Sequence, residues 1–75
     1  MYTIDTIYEE AAAIRNAETA EIAYEECESL ILNVGCELDG STLEDALDWH
    51  TNDAPCEYAA QAIRYAIDRI EWLNS

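Results

Sequence analysis

Near the end of the chain, Cys56, Ala59, Ile63, Ala66, Ile70 and Leu73 recur at alternating steps of three and four residues. That period belongs to a helix face that packs against another helix, and it excludes a strand, whose faces alternate every two residues. A helix with such a seam needs partners. The rest of the chain must therefore supply further amphipathic helices.

The first half supplies two. Ile4, Ile7, Ala11 and Ile14 form one apolar stripe. Extended by heptad steps, the stripe lands on Glu18, Glu21, Glu25 and Glu28. The apolar positions restart as Ala20, Ala23, Tyr24, Cys27, Leu30, Ile31 and Val34, a jump of roughly 180° at about 100° per residue. One straight helix cannot bury both stripes against one neighbour. A tight turn within Arg15–Thr19, with Asn16 as N-cap of the second helix, is favoured over one long two-faced helix.

Local signals place the other boundaries. Thr6 with Glu9 matches a capping box, with Thr3 or Asp5 as caps one turn earlier. Gly35 suits the residue just past a helix end, Asp39-Gly40 a turn, and Ser41 with Glu44 a second capping box. A short third helix then runs through Leu43, Ala46, Leu47 and His50. Asp53 and Pro55 suit the start of the last helix. The expectation is an all-α, single-domain bundle of about four helices, near residues 4–15, 17–34, 42–50 and 54–73.

Charge decides what such a bundle can bind. Seventeen Asp and Glu face three Arg and no Lys across 75 residues, a formal charge of −14. Such a surface repels nucleic acid and anionic membrane and draws basic surfaces from a distance. The expected partner is a basic protein surface, with no direct nucleic-acid or membrane contact. High charge alone suggests disorder, but 51% of the residues are hydrophobic, enough for a folded core. The N-terminus has no basic or apolar leader pattern and no stretch is long enough to span a bilayer, so a cytoplasmic location is expected. Three cysteines at irregular spacing suit reduced, buried thiols better than a disulfide framework.

Two rows are candidates for partner binding. Glu18, Glu21, Glu25 and Glu28 form an acidic ridge opposite the core stripe of the second helix, about 15 Å long at the helical rise. Its members stand roughly 5–6 Å apart, comparable to the phosphates of a nucleic-acid strand, whose rise per step is about 3.4 Å before the helical path is added. The ordinary reading of such a row is a solvated face, but like charges at this spacing destabilise a helix and solubility needs far fewer of them. Tyr58, Tyr65 and Trp72 form an aromatic stripe about 150° from the seam of the last helix. It is either core of a sandwiched helix or a surface for a partner or a second copy in a homodimer.

Other chemistry is poorly provided for. Cys27, Cys36, His50 and Cys56 match no familiar zinc spacing, and placing Gly40 as an EF-hand glycine puts Gly35 and Ala46 at ligand positions, so no metal is expected. One His, no Lys and no phosphate loop or nucleophile motif leave no enzyme and no cofactor to expect.

In size, acidity and lack of catalytic motifs the chain resembles the small inhibitor proteins that bacteriophages and mobile elements encode against host defences, namely anti-CRISPR proteins and DNA-mimicking anti-restriction proteins. These share neither a fold nor a motif. The resemblance implies an inhibitor that docks on the nucleic-acid groove of a defence complex or nuclease, its carboxylates standing in for phosphates.

Overall fold

The structure, a computed structural model, describes residues 4–33, 35–36, 42–53 and 56–75. The last helix organises it. Five α-helices and one π-helical turn follow in chain order: α1 (Ile4–Glu10), α2 (Ala12–Arg15), α3 (Ala20–Asn33), α4 (Leu43–Asp48), the turn Trp49–Asp53 and α5 (Glu57–Asn74). Among the described residues 84% are helical and none lies in a strand, so the fold is all-α. The segment expected as one helix over residues 4–15 is α1 and α2, and that expected over 42–50 is α4 and the π turn.

Every other element touches α5. Its seam explains why, since Ala59, Ile63 and Ala66 are almost wholly buried, as is Ala62 beside the seam, and the alanines let neighbouring helices approach closely. Cys56 and Ile70 pack at the margin of the same cluster. Ile7, Ala11 and Ile14 from the first arm, Cys27, Leu30 and Ile31 from α3, and Leu43 and Ala46 from α4 complete the core. The Cα extents are 30 × 27 × 15 Å. The shortest of these is what two layers of helices with axes about 10 Å apart give between Cα atoms, a close approach that fits the alanine-rich core.

The first arm is broken where its sequence looks most helical. Ala11 separates α1 from α2 with ψ near 3°, although the Ala11 amide still reaches the Ile7 carbonyl and the Arg15 amide reaches that of Ala11. The cause is a side chain. Arg15 Nη2 donates to the Tyr8 carbonyl at 3.0 Å, the acceptor that an unbroken helix would offer to the Ala12 amide. The guanidinium lies 3.9 Å from the Tyr8 ring centroid, which holds it there.

The turn at the phase jump exists, but its capping differs from expectation. Asn16 is the C-cap of α2 and its Nδ2 donates back to the Ala12 carbonyl at 2.9 Å. Thr19 starts α3 instead, its Oγ1 accepting from the Ile22 amide at 3.1 Å. The helix therefore begins at Ala20, not at residue 17. Likewise α1 runs from Ile4, which places Thr6 inside its first turn, not at the cap.

Gly35 acts as expected. With φ at +82°, a conformation that glycine adopts without steric cost, it lets the Gly35 amide reach the Leu32 carbonyl and the Cys36 amide reach that of Ile31. This pair of bonds is the Schellman closure of α3. Thr42, one residue after the expected Ser41, caps α4 by accepting from the Asp45 amide at 3.1 Å. Asp53 ends the π turn, and Cys56 is the N-cap of α5. Thr3, Val34, Asp39-Gly40, Ser41 and Pro55 lie outside the described residues.

Candidate interaction surface

Glu18, Glu21, Glu25 and Glu28 are all exposed. Glu18 sits in the turn ahead of α3, so the helical part of the ridge is Glu21, Glu25 and Glu28. These follow from the phase of α3, whose buried side is Ala23, Cys27, Leu30 and Ile31. Glu21, in the first turn, complements the helix dipole. Further along, the dipole no longer helps, and the last turn of α3 carries no basic residue.

The ridge is part of a wider pattern. Every Asp and Glu whose side chain the structure describes is exposed. The three arginines are engaged elsewhere. Arg15 holds the Tyr8 carbonyl and ring, Arg64 donates to Gln61 Oε1 at 3.3 Å, and Arg69 Nε donates to the Ala17 carbonyl at 2.8 Å. Arg69 thereby ties α5 to the turn between α2 and α3. These cations serve as braces on neutral oxygens, and the surface keeps its negative excess.

The aromatic stripe of α5 divides. Tyr58 and Tyr65 are partly buried against the core cluster, and Tyr65 meets Tyr8 edge to face at 6.1 Å between centroids. Trp72 remains 65% exposed, with the Arg69 guanidinium 4.3 Å from its ring centroid. Two members of the stripe thus serve the fold, and one faces solvent.

Between α3, α4 and α5 lies an open cleft of about 230 Å³, lined by Tyr24, Leu43, Glu44, Ile67, Ile70 and Glu71. Its walls are mostly apolar, and Glu44 and Glu71 bring two exposed carboxylates to it. Tyr24 is three residues from Glu21 and four from Glu28, so the cleft opens beside the ridge. Sequence reasoning missed Glu44 and Glu71. No periodic signal joins them, because they come from different helices whose edges meet only in the fold.

The sulfur and imidazole groups are scattered with one exception. Cys27 is fully buried, and burial, with the nearby Glu28 charge adding to it, pushes its thiol up to about 12. His50 is buried in the π turn. Cys36 and Cys56 are free thiols whose Sγ atoms lie 2.8 Å apart. Burial, followed by the contact with Cys56, pushes Cys36 up to about 11. Among the described residues no group of three or more His, Cys, Asp or Glu could hold a metal ion.

No family model, curated protein or solved structure matches the chain. Among the described residues no helix is long and apolar enough to cross a membrane.

Proposed function

We propose that this protein is a cytoplasmic inhibitor that covers the positively charged nucleic-acid-binding surface of a host defence complex or nuclease, of the anti-CRISPR or anti-restriction kind. It acts by mimicking a phosphate backbone. The observation that carries this reading is the exposed carboxylate row of α3 while all three arginines are held by neutral oxygens. Carboxylates left in solvent favour a partner that brings its own cations.

The cleft beside the row suits the same partner. A lysine or arginine stem can lie on Ile67 and Ile70 while its charge meets Glu44 and Glu71 at the rim. Apolar contact of this kind adds affinity that screened surface charges alone do not give.

A second reading rests on Trp72. An exposed aromatic stacked by an arginine is the side chain that an adaptor or regulatory subunit, or the seam of a homodimer, would use as an anchor. The two readings differ in their response to salt. Titration against CRISPR effector complexes and nucleases should give binding that weakens steeply between about 50 and 300 mM salt and is competed by DNA or RNA. Salt-insensitive binding, or a complex that holds nucleic acid at the same time, contradicts the mimic.

A further inference from the structure

We infer that Cys36 and Cys56 are a disulfide-forming pair, an oxidative modification site that joins the end of α3 to the start of α5. The two sulfurs lie 2.8 Å apart although the residues are 20 apart in sequence. A disulfide bond is about 2.0 Å long, so closure requires a shift of less than an ångström. Both sulfurs are positioned by fixed backbone. Cys36 follows Gly35 in the Schellman closure of α3, and Cys56 is the N-cap of α5, its amide held by the His50 carbonyl at 3.0 Å.

The third cysteine does not compete. Cys27 is wholly enclosed in the core, whereas Cys36 and Cys56 are partly exposed. A low-molecular-weight disulfide is the oxidant. One thiolate of the pair attacks it, forming a mixed disulfide and releasing one small thiolate. The second thiolate then attacks the protein sulfur of the mixed disulfide and expels the other. The protein loses two electrons and two protons, and the small disulfide becomes two thiols.

The bond closes a ring that contains α4 and the π turn. It therefore braces the α4 wall of the cleft, from which Leu43 and Glu44 come. Restricting the unfolded chain in a ring of this length raises the melting temperature by on the order of 10–20 °C in a domain this small.

The full chain incubated with oxidised glutathione tests the inference, read by intact mass, by mapping after cleavage at Glu, and by thermal melting. Loss of two hydrogens, a Cys36–Cys56 cross-link, one remaining thiol at Cys27 and a higher melting temperature are expected. Reduction should reverse all four. In Cys36→Ser the remaining Cys56 should instead retain glutathione. Persistent glutathione on Cys36 or Cys56 of the unaltered chain, a cross-link between chains, or three free thiols at equilibrium overturns the inference, whether or not the variant folds.

Discussion

The outer face of α3 and the aromatic stripe of α5 are both rows of like residues at helical spacing, and the fold uses them in opposite ways. Tyr58 and Tyr65 are drawn against the core, while Glu21, Glu25 and Glu28 stay in solvent. Periodicity marks a face without saying who covers it. An apolar row can be covered by the chain's own helices. A carboxylate row cannot be buried without cations, and the three arginines are committed elsewhere.

Substitutions along the two rows test that contrast. Tyr65→Ala removes a partly buried ring and its contact with Tyr8, and should cost roughly 2–4 kcal/mol in urea unfolding. Thr19→Ala removes the cap from which the acidic helix starts, with a cost of about 1 kcal/mol and faster hydrogen exchange at the Ile22 amide. Trp72→Ala loses an exposed ring stacked by Arg69, so less than about 1 kcal/mol is expected. A cost equal to that of Tyr65→Ala would make the stripe one packed unit and remove the contrast. The smallest effect has the opposite sign. Glu25→Gln with Glu28→Gln should stabilise the fold by a few tenths of a kcal/mol through relief of like-charge repulsion.

How much of this was legible in the sequence follows the range of the interactions. The seam of α5, the phase jump before α3 and the Gly35 closure depend on neighbours within a turn or two, and each appears where its residues indicate. The break at Ala11 was not legible, because alanine is the strongest helix former and the cause is the Arg15 guanidinium four residues on. Asn16 and Thr19 are both good caps by composition. The Arg69 bond to the Ala17 carbonyl, 52 residues away, helps fix the turn that separates them. The π turn carries no pattern of its own.

For the candidate surface, exposure of the acidic row was legible because the opposite stripe had to be core. The split of the aromatic stripe was not, since Tyr65 finds Tyr8 only after α1 docks. The cleft with Glu44 and Glu71, and the approach of Cys36 to Cys56, arise from helix edges distant in sequence.

In the proposed function the α3 carboxylates, and not the aromatic end of α5, contact the partner. The most direct test compares the partner affinity of Glu21→Lys with Glu25→Lys against that of Trp72→Ala, at matched salt and with folding checked by circular dichroism. At least a tenfold loss, about 1.4 kcal/mol or more, is expected for the charge reversal and little change for Trp72→Ala. Intact binding after charge reversal together with its loss in Trp72→Ala would contradict the proposal.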